Sequence, residues 1–450
     1  MKALLLKNRV INIDPNRKIN KEKEYKSSIS IDSELKYRFD IGAKYFYVKC
    51  NDNNINCSYH KKLYEKHMIS FNNCNEKNSK KKKIEDFFYE FDNLINDMKL
   101  NGYNKEYPIP LGKNLVLING THRYIVSRYF KIEPFYIHEK INGTLEYNYE
   151  FFIKRKRYGS KYINLEQEYS DFIALNNLQL FSNSKNIRCI IIYPNANKIN
   201  KNREIESILN NNGTIMYRKE IKLSEQGLKN LIIELYRGEK WIGGTFTKND
   251  NNLKFKKCYE DFPLIFYMYY FDNLNDIEVK NNIRSLFDLG KNSVHITDYY
   301  EDTFRVSTSL LNKNSLFFLN YGTNILSDES SFLLEKYFKE VNYNENYIVT
   351  SSVVLELFSL RNANDIDYIN RFDNKIFFNG VGLHKGKWLD YYVENKDELL
   401  FNPNNYFYIN GHKFLNLDFI KKMKINRNEN KDLKDIKLIE NLQNLSYNTI

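Results

Sequence analysis

Tyr347-Ile348-Val349-Thr350, Ser351-Ser352 and Asn364-Asp365-Ile366-Asp367-Tyr368-Ile369 form the stretch on which the reading of this chain turns. The first four residues read as a strand, Val353 to Leu360 as a helical run, and Asn364 to Ile369 as a second strand. Side chains alternate along a strand, so Asp365 and Asp367 share one face. Two carboxylates placed so close can co-ligate Mg2+, which takes a few carboxylates and completes its shell with phosphate oxygens. A pair of metals so held would activate the attacking oxygen and neutralise the leaving pyrophosphate.

Twelve residues separate Ser352 from Asp365. A small-small turn, a helix and an Asp-apolar-Asp strand in that order resemble the nucleotidyltransferase superfamily. Ser351 stands where that superfamily has glycine. The resemblance implies that Ser351 and Ser352 bind nucleotide, that Asp365 and Asp367 are catalytic metal ligands, and that a third carboxylate follows. Asp373 and Asp390 are the candidates for it. A helix containing Leu333, Leu334, Tyr337 and Phe338 precedes the strand. Downstream, Phe414 to Lys424, Arg427 and Lys431 to Ile436 resemble the C-terminal helix pair of small nucleotidyltransferases, which implies that Lys424 and Lys431 face the triphosphate. The plainer alternative is an exposed basic helix with Leu433, Ile436 and Ile439 inward. Gly382-Leu383-His384-Lys385 is an acceptor-site loop or a simple turn.

Upstream, Ile187 to Tyr193, Thr214 to Ile221 and Phe262 to Phe271 read as strands, with Ser315 to Leu319 as a fourth. Arg203 to Leu209 and a helix capped by Ser224 lie between them. This order predicts a ferredoxin-like sheet with helices on one face. Asn292-Ser293-Val294-His295-Ile296-Thr297-Asp298 resembles the histidine segment of the nucleoside diphosphate kinase family. Tyr193-Pro194-Asn195-Ala196, Leu235 to Trp241 and Ile283-Arg284 match other family pieces in order. The resemblance implies His295 as a catalytic phosphoryl carrier, Arg284 and Asn292 as phosphate or ribose contacts, and Tyr236 as a base-stacking residue. Neutral near pH 7, a histidine is nucleophilic. Tyr193 replaces the family's lysine, Ile296 its glycine, and the orienting carboxylate has no counterpart. A degenerate binding domain and a lone core histidine are the other readings.

Nearer the start, Ile84 to Leu100 is an amphipathic helix carrying Phe87, Phe88, Phe91, Leu94, Ile95 and Met98 on one face. Tyr107-Pro108-Ile109-Pro110 is expected to break regular structure, and Asn114 to Ile118 to be a buried strand. Asn119-Gly120-Thr121-His122-Arg123 then opens a helix, an arrangement that presents free backbone N–H groups to an anion. It resembles the ParB/sulfiredoxin-like superfamily, which implies nucleotide-phosphate contacts from Gly120, His122 and Arg123. Asp40 is the candidate acid. The alternative is a turn with a surface His-Arg pair.

The expected class is therefore α+β multidomain. It comprises a ParB/sulfiredoxin-like domain over 1–140, a connector over 141–185, a nucleoside diphosphate kinase-like domain over 186–325, and a nucleotidyltransferase-like α/β domain over 330–450. The 450 residues are 42% hydrophobic and 28% charged, enough to bury several cores. A formal charge of +12 suits phosphate-rich partners. The runs Lys80 to Lys83 and Lys154 to Arg157 read mainly as solvated surface. No stretch approaches the ~18 apolar residues of a membrane helix. The Ala3 to Leu6 block is too short for a signal peptide, so a cytoplasmic location with reduced thiols is expected. Cys50, Cys57, His60, His67 and Cys74 cluster without a standard zinc spacing, and core thiols are the favoured reading.

The expected activity is an enzyme that uses Mg2+ and ATP or another NTP for phosphoryl and nucleotidyl transfer. A small-molecule acceptor is preferred, with surface-glycan decoration as its setting. An RNA-directed nucleotidyltransferase, with nucleic acid as a less favoured partner, and a nucleotide-sensing protein with dead sites are the alternatives.

Overall fold

The computed structural model describes residues 24–26, 35–75, 81–143, 147–158, 162–242, 246 and 252–447. Met1 to Asp14, including the short apolar block, and Lys80 lie outside the described residues. The chain is mixed α+β and forms two compact units, Met1–Phe181 and Ser182–Ile450. No helix among the described residues is long and apolar enough to cross a membrane.

In the first unit, β1 (Glu24–Lys26), β2 (Ile109–Leu111) and β3 (Phe135–His138) form a small sheet in the order β1-β3-β2. Helices α1 (Ile41–Asp52), α2 (Tyr59–Asn72), α3 (Ile84–Asn101) and α4 (Thr121–Phe130) follow the aromatic-rich runs. Helix α3 buries Phe87, Phe91, Ile95 and Met98, the inner part of the face expected from its periodicity. Two expectations change. The prolines do not exclude a strand, because β2 lies at the sheet edge, where Pro110 costs no ladder donor. Asn114 to Ile118 is not a strand: Leu115 has φ 59° and its N–H donates to Gly112 O at 2.9 Å, closing a turn. Val116 and Leu117 are buried by this loop, so apolar content alone misled the reading. Beyond α5 (Tyr149–Ile153), α6 (Gln167–Leu180) belongs to this core: Gly42 of α1 lies against the Ile173 backbone, where a Cβ would come within 2.3 Å of the carbonyl oxygen.

The second unit begins with a four-stranded sheet of β4 (Ile187–Ile192), β5 (Gly213–Ile221), β6 (Leu264–Phe271) and β7 (Val294–Ile296). Its order is β5-β6-β4-β7, and every neighbouring pair is antiparallel. Between these strands lie α7 (Pro194–Asn197), α8 (Asn202–Asn212), α9 (Glu225–Leu235), α10 (Asn252–Cys258) and α11 (Asp276–Arg284). Two βαβ paths, β4-α8-β5 and β6-α11-β7, each skip one strand and interleave. Ile205 and Leu209 of α8 and Val279 and Ile283 of α11 cover one face with Ile190, Ile192, Ile265, Tyr267 and Tyr269.

Helices occupy both faces, unlike the expectation. On the second face, α12 (Tyr300–Leu310) packs against β4, and α13 (Lys313–Tyr321) packs against α9 and α12. The segment Ser315 to Leu319, expected as a strand, lies within α13. Asn312 caps that helix by accepting from Ser315 N, a stronger local signal than the apolar run. The fourth strand is β7, only three residues long and flanked by polar side chains.

The rest of the unit contains α14 (Asp328–Val341), β8 (Tyr347–Thr350), α15 (Ser352–Leu357), β9 (Ile366–Asn370) and β10 (Val381–Leu383). Then come α16 (Lys396–Phe401), β11 (Tyr406–Ile409), β12 (His412–Leu415), α17 (Leu417–Arg427) and α18 (Asn430–Tyr447). The five strands pair in the order β10-β9-β8-β12-β11. Ile348, Val349, Tyr368, Ile369 and Phe414 form its buried centre.

Candidate functional site

Strand β8 ends at a turn whose first residue, Ser351, has φ 64° and ψ −135°. An L side chain rarely adopts this conformation, which glycine adopts without cost. The turn delivers the chain into α15, a short helix buried along its length. Strand β9 then returns antiparallel to β8, with Asp367 opposite Thr350. Ser352 Oγ donates to Asp365 Oδ1 at 3.2 Å, so the turn meets that carboxylate. Asp365 is exposed and Asp367 half-buried.

Strand β10 runs parallel to β9 and sets Gly382 opposite Asp367. A Cβ at Gly382 would come within 2.7 Å of Asp367 Oδ1, so the glycine leaves the room that this carboxylate occupies. His384 follows, its Nε2 3.4 Å from Asp367 Oδ2. Its Nδ1 meets the Tyr392 hydroxyl at 3.1 Å, and that hydroxyl meets Thr350 Oγ1 at 3.0 Å. Burial raises the Tyr392 pKa and the Asp367 charge adds to the rise, so the hydroxyl keeps its proton.

Neither candidate for a third carboxylate approaches this pair. Asp373 lies past the far end of β9, ion-paired to Lys396 at 2.7 Å, and Asp390 is exposed in a 3-10 turn, Gly386–Tyr391. Among the described residues no group of three or more His, Cys, Asp or Glu side chains is arranged to hold a metal. Asp367 on β9, beside the space left by Gly382, and Asp365, in the bend before that strand, offer carboxylate oxygens, the donor type that Mg2+ takes.

The C-terminal lysines are placed otherwise than expected. Lys424 is buried between Asp432 at 3.2 Å and Asp435 at 2.6 Å. Arg427 Nε also donates to Asp432 at 2.9 Å, and Arg361 Nε donates to Asp435 at 2.7 Å. These charges tie α17, α18 and the segment after α15 together, which commits Lys424 to structure. Lys431 is exposed and pairs with Glu429 at 2.9 Å. The inward stripe of α18 is Asp432, Asp435 and Ile439, whereas Leu433 is 53% exposed. Partnered carboxylates thus replace the apolar stripe expected there.

The central sheet assembles a second cluster. Strand β7 sets His295 opposite Ile191 of β4, on the face away from α8 and α11. His295 Nδ1 is 3.3 Å from the Tyr236 hydroxyl, which is 3.3 Å from that of Tyr193. Lys254 of α10 lies over the Tyr193 and Tyr236 rings, 5.1 and 5.7 Å from their centres. Its Nζ also donates to Lys291 O at 2.6 Å and to Asn292 Oδ1 at 3.4 Å. Arg284 bears electrostatically on His295, Tyr193 and Tyr236, and its Nε is buried without a hydrogen-bond partner among the described residues. Burial, followed by Lys280, Lys254, Arg284 and Arg305, lowers the His295 pKa to about 3, so the imidazole is neutral at pH 7. His295 thus meets Tyr236, Lys254 links Tyr236 to Asn292, and Arg284 bears on the cluster electrostatically. Lys254 was missed, because a lysine among Asn252 to Cys258 has no distinguishing spacing.

In the first unit, Gly120 caps α4 with φ 83°. His122 Nε2 meets the Tyr64 hydroxyl at 2.9 Å and its ring packs edge-on against Phe91. Arg123 Nη1 donates to Tyr107 O at 2.6 Å. Both side chains are thereby engaged by the protein. Asp40 lies behind the turn: Arg38 donates to it from Nε and Nη2 at 2.9 and 3.0 Å, and also to Thr121 Oγ1 at 2.8 Å. Lys44 pairs with the same carboxylate. Burial pushes the Asp40 carboxyl up, but Arg38 and Lys44 outweigh it and hold its pKa well below the usual value. Cys50 and Cys57 are buried, and His60 Nδ1 is bonded to Cys57 O. No family model, curated protein or solved structure gives a significant match to this chain.

Proposed function

We propose that the second unit is a magnesium-dependent nucleotidyltransferase, with Asp365 and Asp367 as metal ligands and the Ser351-Ser352 turn as the nucleotide-phosphate seat. The observation that carries this reading is the Ser351 turn itself. A serine holds a glycine-type backbone at the one place where the chain must turn sharply toward its carboxylates, and strain of this kind is retained where it serves a site. When bound, Mg2+ would polarise the phosphoryl group and neutralise the departing pyrophosphate. The chain's own residues do the rest. Ser352 orients Asp365, His384 and Gly382 fix the place of Asp367, and Tyr392 holds His384 and Thr350 together.

A second phosphate-handling site, of the nucleoside diphosphate kinase type on a ferredoxin-like sheet, is supported by the convergence of His295, Tyr236, Asn292 and Arg284 with Lys254. Lys254 supplies positive charge next to Tyr193, where the sequence lacks a lysine. The ParB/sulfiredoxin-like reading of the first unit has less support, since His122 and Arg123 are engaged internally. Incubation with each labelled NTP and Mg2+, with and without a bacterial metabolite extract, tests the proposal. Pyrophosphate release that requires Asp365 and Asp367 supports it, and release that survives their joint replacement by alanine contradicts it.

A further inference from the structure

The loop after β10 carries a feature that the transfer reading does not use. Past His384, the chain reads Lys385-Gly386-Lys387-Trp388, and all four residues are exposed. Trp388 N donates to Lys385 O at 3.3 Å, folding the segment into one tip, and Gly386 turns it at φ 55° with open space around its Cα. The indole stacks on His384, with ring centres 4.7 Å apart and planes within 6°. The Arg427 guanidinium lies 5.7 Å from the indole centre. Trp388 is thus held in place, yet 41% of its surface is open. Lys385 and Lys387 form no ion pair with any described residue, and Asp390 is the only carboxylate within the following 3-10 turn.

A fixed, partly open indole beside two unpaired ammonium groups matches the two halves of a nucleotide unit. The base has a π-face to stack, and the phosphate attracts lysine without demanding a set geometry. His384 joins this tip to Asp367 at 3.4 Å. We propose that Lys385, Lys387 and Trp388 form a nucleotide-binding rim of the Asp365–Asp367 site. The inference deepens the nucleotidyltransferase reading and rests on it for the place of the reaction. The nucleotide unit has two sources, a free NTP or the terminal nucleotide of a single strand.

The chain has two tryptophans, so Trp241→Phe leaves Trp388 as the only fluorescent indole. That variant is titrated with Mg·ATP, with a ten-nucleotide single-stranded RNA, and with ribose 5-phosphate, which lacks a base. Saturable quenching by ATP or by the RNA, absent with ribose 5-phosphate and weakened at least tenfold by Lys385→Ala with Lys387→Ala, is expected. The ligand that quenches identifies the source. Equilibrium dialysis of the same two ligands on the otherwise unaltered chain, with and without the lysine substitutions, gives the same answer if Trp241→Phe does not fold. No saturable binding, or binding indifferent to both lysines, overturns the rim. Lysine-dependent binding without any pyrophosphate release sustains the rim and removes the transfer reading instead.

Discussion

Two turns in this molecule set a positive-φ residue at the start of a helix and differ in ψ and in what surrounds them. Gly120 and Ser351 both take positive φ, at 83° and 64°, and both open a helix. At Gly120 the residue type suits the conformation, and the side chains nearby are bonded inward: Arg38 to Thr121 and Asp40, Arg123 to the Tyr107 carbonyl, His122 to Tyr64. At Ser351 the residue type opposes the conformation, and the neighbouring carboxylate Asp365 is exposed. The first arrangement stabilises the fold, whereas the second retains strain beside open functional groups. A glycine turn opening a helix is therefore insufficient to mark a binding site, because the disposition of the flanking side chains decides its use.

The largest effect expected from this contrast is on stability. Asp40→Ala leaves Arg38 and Lys44 buried without their counter-charge, and should destabilise the first unit by about 3–5 kcal/mol in urea unfolding. Asp365→Ala, at an exposed position, should leave the unfolding midpoint within error of the parent chain. Equal midpoints for the two variants would erase the distinction between the turns.

Acid should weaken the same buried cluster. Burial, then the Lys44 charge, lowers the His67 pKa to about 3 from the usual 6.5. Below pH 6.5 the unfolded chain takes a proton that folded His67 refuses, so stability falls as pH drops toward 3. The slope from this group is about 1.4 kcal/mol per pH unit. Asp40, with its depressed pKa, contributes stability above the unfolded carboxyl range that is lost only as pH falls further. Urea titrations at pH 7 and pH 5 should show the decline, and His67→Gln should make it shallower by about one proton.

The smaller predictions concern the turns themselves, and they differ in sign. Gly120→Ala imposes positive φ on an L residue and presses a Cβ to 3.0 Å from Arg123 Nη2, with a cost of about 1–2 kcal/mol. Ser351→Gly relieves a different positive-φ conformation, at ψ −135°, and should stabilise by about 1 kcal/mol, after the entropy that glycine adds to the unfolded chain. Thermal unfolding of both variants tests the pair, and a gain at Gly120 or a loss at Ser351 would reverse the account of where strain is held.

Part of this arrangement is legible in the sequence. The spacing of Ser352 and Asp365 brought the turn to that carboxylate, 3.2 Å away, but Asp365 lies in the bend before β9, so strand alternation does not relate it to Asp367 as expected. The order of β4, α8, β5, α9 and β6 followed from periodicity and caps. Other features depended on tertiary packing. Strand β7 is too short to show a period, and Asn114 to Ile118 is apolar because it is buried as a loop. Lys254 reaches Tyr193 from a segment remote in sequence. Lys424 looked like a ligand until Asp432 and Asp435, on the next helix, proved to be its partners.

The central claim is that the Ser351 turn and the Asp365–Asp367 pair make a transfer site. Its most direct test is pyrophosphate release from a labelled NTP with Mg2+, by the parent chain and by Asp365→Asn with Asp367→Asn, with circular dichroism confirming that both are folded. The account predicts release by the parent and a loss on the order of 10^3-fold in the variant, the scale of several kcal/mol of metal-assisted charge stabilisation. Equal release by the two folded proteins, or none from the parent with any NTP and acceptor extract, would contradict it.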